Sequence, residues 1–360
     1  MTHRGKIVLL PPNRVWRTYP GGRTLDRIAG APAPADAHFP EDWIASTTRA
    51  VNPGREHLAE GPSPAIVGGR SEDFSSLLAR DPAYFLGAAH ARRFGATPRL
   101  LVKLLDPATR LHFQVHPTTA FARRFLSAPS GKTEAYHVLA TRPEVAEPCI
   151  YLGFQRPPAR AALRRMILEQ DIPAIEACFD PIPVAPGDTY LVPGGVPHAL
   201  GAGVFLVEIQ EPSDLVVRFE FERAGYVLPE SARFMGRDPD FCLDVFDFSA
   251  WPAARVALEG ACRPIRRRAL GPDSWQDDLI GPTRTPCFRV RLSHLHGAVT
   301  KTEDSCYVAV VTDGACVVEA GGERHRVERY NRFFCPAGLG PVTICPEPHA
   351  RLLECYPPAD

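Results

Sequence analysis

Residues 188–198 read DTYLVPGGVPH, and residues 331–341 read NRFFCPAGLGP. Laid together without a gap, Tyr190 falls on Phe333, Pro193 on Pro336 and Gly195 on Gly338. A strand that carries an aromatic residue, stops at a proline and turns on a glycine thus occurs twice. That predicts two copies of one supersecondary unit, and so two β-sandwiches. Aromatic-x-x-Pro-x-Gly is also a common strand ending, so the pairing needs support from the rest of the chain. In this register His198 falls on Pro341. A proline side chain cannot ligate a metal, so the second copy cannot repeat any metal-binding role of His198.

The flanking sequence supplies the support. RLLVKLL (99–105), VFLVEIQ (204–210), FRVRLSHL (288–295), SCYVAVVT (305–312) and ACVVEA (315–320) are strand-length apolar or alternating runs. Asp313-Gly314 and Gly321-Gly322 read as hairpin turns. The 38 prolines, about twice the usual share, disfavour long helices and central strands. Three short helices are expected, at about 82–94, 118–127 and 158–170. Phe85, Ala89 and Arg92 sit at helical spacing in the first, and Leu163, Ile167 and Leu168 form an apolar face in the third. MGRDPD, WPAA and GPDSW break the strand pattern between 235 and 285, where a linker is expected.

Composition excludes several classes. Lys+Arg and Asp+Glu are 41 each, which gives no electrostatic argument for nucleic acid or an anionic membrane. The clusters Arg164-Arg165 and Arg266-Arg267-Arg268 lack interleaved aromatics and read as solvated faces. MTHRGKIVLLPPNRVW has an apolar run too short for a signal peptide, and no stretch has the ~18 apolar residues of a membrane helix. The ten cysteines form no C-x-x-C pair and read as reduced thiols of a cytoplasmic protein. Cys306, Cys316, Cys335, Cys345 and Cys355 lie in strand-like runs and are expected to act as small core hydrophobes.

The chemistry concentrates in three short motifs. LHFQVHP (111–117) carries Gln114 and His116 at i, i+2, which share a face on a strand. GKTEAYHVL (131–139) carries Glu134, and GDTYLVPGGVPHAL (187–200) carries His198. In a chain with twelve histidines, one histidine is more often a surface or core residue than a ligand. His116 and His198, however, stand beside prolines and glycines at strand ends, where sites are commonly built. Two imidazoles, a carboxylate and an amide oxygen suit a borderline ion such as Zn²⁺, and leave room for a substrate oxygen.

These motifs resemble those of the class I mannose-6-phosphate isomerases, cupin-fold metalloenzymes. LHFQVHP resembles the stretch that supplies a glutamine and a histidine ligand. GKTEAYHVL resembles the one with the glutamate ligand and a lysine, here Lys132. LVPGGVPHAL resembles the one with the second histidine, and VEIQEPSDLVVRFEF the one ending in the active-site arginine, here Arg218. VWRTYPGG and EDWIAS look like the family's opening strands. The resemblance is specific from about residue 12 to about residue 222 and looser beyond. There are departures: His112 stands where relatives have a serine near the sugar phosphate, Tyr136-His137 stand where a Trp and an aromatic are common, and the stretch after Glu208 is altered.

The resemblance implies a mainly β chain of two cupin-like β-sandwich or jelly-roll barrels with a few short helices. Residues 1–240 would form the metal-binding catalytic domain, 241–284 a connecting segment and 285–360 a C-terminal domain without metal. It further implies one Zn²⁺ or another divalent transition metal per chain, on Gln114, His116, Glu134 and His198. The implied reaction interconverts mannose 6-phosphate and fructose 6-phosphate through an enediol. Another or an unphosphorylated sugar, or sugar binding without turnover, are the alternatives. An enediol needs a cation over its oxygens, a role that suits Arg218, and a proton carrier over C1–C2, for which Glu208 and Lys132 are both candidates. Lys103, His112 and Lys132 are the candidates for binding substrate, with His112 a phosphate ligand if protonated. A sugar phosphate is the only partner expected, and the chain is expected to be a monomer.

Overall fold

A computed structural model describes residues 3–359. Three β-sheets form most of it. Six strands, in the order Thr189–Val192, Glu134–Thr141, Val204–Gln210, Leu101–Leu105, Glu41–Ile44 and Arg14–Val15, form the central sheet. Five shorter strands face it: Ile182–Pro183, Cys149–Leu152, His198–Leu200, Gln114–Val115 and Val217–Arg218. These two sheets enclose the first barrel. An eleven-stranded sheet from the C-terminal part of the chain packs on the outer face of the central sheet.

Strand alternation divides the labour of the central sheet. Along Glu134–Thr141, Ala135 and Leu139 point outward and join Val207, Ile209, Val102 and Leu104 in one core with Val290, Val308, Val310 and Leu353. The alternate residues Glu134, Tyr136 and Val138 point inward. Pairing aligns Tyr190, Tyr136, Glu208, Lys103 and Trp43 into one cross-strand row. Charged residues on the inward face of a buried sheet are the fold-level sign of a site.

The internal repeat has a structural counterpart. In the ungapped register, the strand Thr189–Val192 falls residue for residue on the strand Arg332–Cys335. Both then turn at the proline and glycines.

Several expectations change. Asp313-Gly314 is not a hairpin turn: Tyr307–Ala320 is one long strand that bends there, with register shifts against Val342–Tyr356. Gly314 has φ +70°, and a Cβ on it would lie 2.1 Å from the His349 carbonyl oxygen. The glycine therefore serves a bulge and a close backbone approach. Gly321-Gly322 is the turn, joining Ala320 to Glu323. The helix expected at 82–94 breaks into Pro82–Leu86 and Ala88–Phe94 at Gly87, φ +93°. Those expected at 118–127 and 158–170 are Thr119–Phe125 and Arg160–Glu169. Leu163 and Ile167 are buried in the latter but Leu168 is exposed. Cys306, Cys316, Cys335 and Cys355 are core residues, whereas Cys345 is only half-buried.

The expected linker is partly sheet. Arg266–Gly271 and Ser274–Ile280 pair with each other and then with Arg289–Leu295 at the edge of the eleven-stranded sheet. At its other end the sheet takes in Val8–Leu9, Pro64–Val67 and Arg70–Asp73 from the N-terminal part. Phe334, opposite Val8, packs edge-on against Phe74 at 5.2 Å. Phe334→Ala should therefore lower stability by about 3–5 kcal/mol and loosen both ends of the chain together. Thermal melting that shows a shift in only one of two separate transitions would contradict this. Among the described residues, no helix is long and apolar enough to cross a membrane.

Candidate metal centre

His198, Gln114 and Arg218 lie in one cross-strand row of the five-stranded sheet, with Gln114 opposite both of the others. His116 follows two residues on and shares the inward direction of Gln114. Across the barrel, Glu134 opens its strand beside Val192 and Gln210. His116, Glu134 and His198 are all buried, and their ligand atoms lie within 4.8 Å of one another. Glu134 Oε1 is 3.3 Å from His116 Nε2, and Oε2 is 3.4 Å from His198 Nε2. The Gln114 amide lies 3.3 Å from His198 Nε2.

The outer hydrogen bonds fit this group to a metal. His116 Nδ1–H donates to the Leu215 carbonyl at 2.8 Å, and His198 Nδ1–H to the Val196 carbonyl at 2.9 Å. Carbonyls only accept, so both rings carry their proton on Nδ1 and turn an Nε2 lone pair to the centre. Burial, then Lys132, drives the His116 ring down to about 3, so it is neutral. Burial alone would raise the Glu134 carboxyl, but Lys132 and the two histidines hold it well below its usual value. Tyr136 donates its hydroxyl to Glu134 Oε2 at 2.8 Å. Glu134 Oε1 has Lys132 Nζ at 2.7 Å as an ion pair but accepts no hydrogen bond. An ionised carboxylate and two ring nitrogens at one buried point make a group that could hold a divalent ion.

The other sequence candidates converge on the pocket beside this group. Lys103, His112, Gln114, Lys132, Glu208 and Arg218 all line it. Lys103 does not snorkel: it is 1% exposed, bonds Glu208 Oε1 at 3.0 Å and lies 3.5 Å from Glu41. Burial, then the Glu134 charge, pushes Glu208 up to about 7 against the pull of Lys103 and Lys132. Arg218 is brought down to about 10 by burial and by Arg17, and remains a cation at neutral pH. His112 donates from Nδ1 to the Glu220 carbonyl at 3.1 Å, while Nε2 is buried without a partner. Burial, then Arg218, lowers this ring to about 4. At neutral pH Nε2 is thus an acceptor, which removes the basis for the expected role as a protonated phosphate ligand.

Sequence reasoning missed a second layer. Arg17 makes a paired contact with Asp214 at 2.9 and 3.0 Å and lies 3.3 Å from Glu41. Glu41 also accepts from Tyr19 at 2.6 Å and from Trp43 at 2.7 Å. It is lowered to about 2, because Lys103 and Arg17 outweigh its burial. The available signal was Glu41 two residues before Trp43 in EDWIAS, on the same strand face. Arg17 lies in VWRTYPGG and Asp214 in VEIQEPSDLVVRFEF, but nothing local paired them across the 197 residues between.

No family model matches the chain. Over 143 residues the chain is 36% identical to mannose-6-phosphate isomerase from Streptococcus mutans, covering 38% of this chain and 43% of that protein. Over 125 residues it is 30% identical to mannose-6-phosphate isomerase ManA from Bacillus subtilis, covering 34% and 38%. The chain thus spans about two fifths of the length of these curated relatives, at 43% and 38%. Structural likeness extends over the whole chain. The crystal structure of mannose 6-phosphate isomerase from Bacillus subtilis matches 98% of this chain and 99% of its own with a TM-score of 0.76, at 19% identity. A variant of phosphomannose isomerase from Salmonella typhimurium matches 98% and 100% with a TM-score of 0.71, at 16% identity. The chain has the fold of these proteins.

Proposed function

We propose that this chain is a metal-dependent aldose–ketose isomerase that interconverts mannose 6-phosphate and fructose 6-phosphate through an enediol. The observation that carries the reading is that the pocket lined by Glu208 and Arg218 also holds Gln114 and Lys132, which contact His198 at 3.3 Å and Glu134 at 2.7 Å in the His116–Glu134–His198 group. Gln114 would complete the ligand set through its amide oxygen. Two imidazoles, a carboxylate and an amide favour Zn²⁺ over a hard ion such as Mg²⁺. When bound, the ion supplies Lewis acidity toward the oxygens that become negative.

The chain's own residues supply the rest. Glu208, with a proton affinity near neutrality, takes the proton from C2 of the aldose and returns it to C1. Lys103, fixed between Glu208 and Glu41, orients that carboxylate. Arg218 faces the developing enediolate charge as a permanent cation. Lys132 lies 3.2 Å from His116 Nε2 and 2.7 Å from Glu134. Lys132 also lines the pocket, where it can meet substrate. Arg17, Lys103, Lys132 and Arg218 stand against Glu41, Asp214, Glu134 and Glu208. With Glu134 committed to the metal, the pocket has an excess of positive charge, as a phosphate monoester requires.

The pocket residues lie between 17 and 218, and the C-terminal sheet backs them; we assign catalysis to the first domain alone. Since one chain supplies every site residue, a monomer suffices. Ten free thiols suit a reducing, cytoplasmic setting.

His112 favours a second reading. A neutral acceptor suits a sugar hydroxyl better than a phosphate oxygen. Measuring kcat/KM for mannose 6-phosphate and free mannose separates the two, using wild type and His112→Ser. The first reading expects wild type to prefer the phosphorylated sugar. A preference for free mannose that reverses in the serine variant would establish the second, and no isomerisation of any sugar by metal-loaded protein would overturn both.

A further inference from the structure

The pocket beside the metal ligands is shut. Its deepest residues are nearly inaccessible, and the space among them is about 20 Å³. One water takes roughly 10–15 Å³ on this measure, whereas small-molecule sites run to roughly 300 Å³ and above. No sugar enters unless part of the wall moves.

Two segments, each next in sequence to residues that line the pocket, touch one another. Trp16 immediately precedes Arg17 and Thr18, which line one side. Opposite, the chain leaves Arg218 and forms a small hairpin, Glu222–Arg223 paired with Tyr226–Val227. This hairpin is a two-stranded sheet that joins none of the three larger sheets. Its turn, Ala224-Gly225, has positive φ at both residues, 51° and 79°, the geometry of a two-residue hairpin loop. Its root is firm. Leu228 N–H donates to the Phe221 carbonyl at 2.7 Å, and Arg223 donates to the Arg110 carbonyl at 3.2 Å. Its upper end reaches across by one side chain. Tyr226 meets Trp16 edge-on at 5.7 Å and His38 at 5.8 Å, and Trp16 and His38 stack at 5.4 Å.

We propose that the hairpin of residues 222–227 is the gate of this pocket and that Tyr226 is its latch against Trp16 and His38. Release of the ring opens the pocket to a sugar. Its return confines the sugar and keeps bulk water from the enediol, whose proton would otherwise exchange. Tyr226 is a positioning residue. The substrate part of the inference rests on the isomerase reading, whereas the gate itself does not.

The test has two arms on the metal-loaded full chain. In the first, Thr18→Cys places a thiol inside the pocket, and its modification by a maleimide is followed by peptide mass mapping, with and without Tyr226→Ala. Loss of an aromatic latch should speed labelling at position 18 roughly two- to tenfold, the shift that one aromatic pair holds. Tyr226→Phe, which keeps the ring, should label like the parent. Equal rates in all three overturn the gate, whether or not the protein isomerises a sugar. In the second, mannose 6-phosphate is isomerised in D₂O. Tyr226→Ala should raise KM and increase the deuterium carried by the product, relative to wild type and Tyr226→Phe. Unchanged deuterium content overturns the water-excluding role. Faster labelling in a chain that turns over no sugar would retain the gate and remove the isomerase reading.

Discussion

His198→Ala should abolish isomerase activity and strip the metal from a chain that remains folded. His198 contributes one oriented lone pair, fixed by its hydrogen bond to Val196, to a group that Glu134 and His116 complete. Losing only an outer partner of a ligand costs roughly 10–100-fold in metal affinity, so losing the ligand itself should cost more. His198 lies in the three-residue strand His198–Leu200, which is held on both sides by Gln114–Val115 and Cys149–Leu152. The backbone pairing does not need the imidazole, so circular dichroism should be unchanged. Metal per chain should fall from near one to a small fraction after dialysis. A variant with full metal content and full activity would remove the assignment.

Glu208→Gln should lower kcat by roughly 10²–10⁴-fold, the contribution of a placed acid–base group, with metal content unchanged. The pH dependence carries the sign. A base must be deprotonated to act, so kcat/KM should fall as pH drops through the Glu208 pKa. That value stands at about 7, raised by burial and then by the Glu134 charge. A divalent ion on Glu134 offsets the second cause, so in the loaded enzyme the acid limb should lie at or below about pH 7. In Glu208→Gln the limb should vanish, leaving a flat residual rate. If the limb persists in that variant, Lys132 or another group carries the proton.

The candidate site was legible because its expected ligands sit in short motifs whose local chemistry is unusual for their surroundings. Gln114 and His116 share a strand face at i, i+2, and Glu134 and His198 each begin a strand. Arg218, Lys103 and Glu208 also line the pocket. Misplaced features depended on long-range packing. Asp313-Gly314 has the composition of a hairpin turn, yet the long partner strand Val342–Tyr356 carries its chain straight through as a bulge. Leu168 follows Ile167 in an apolar pair, but the helix turns it to solvent. Residues 266–280 look irregular because their strands are edge strands with exposed arginines, where alternation is weak.

By itself the sequence determined a proline-rich β protein with a duplicated strand-turn unit. It also placed the expected metal-ligand set in the first copy, since Pro341 stands where His198 would repeat. Those properties are local: strand period, turn chemistry and the donor atoms of each side chain. Only the tertiary structure decided the rest. It set the proton affinity of Glu208 through burial beside Glu134, and the neutrality of His112 through burial beside Arg218. It also brought Arg17 to Asp214 and Tyr226 to Trp16. Charge states and closures depend on which groups share a low-dielectric space, and that is fixed by the pairing of strands remote in the chain.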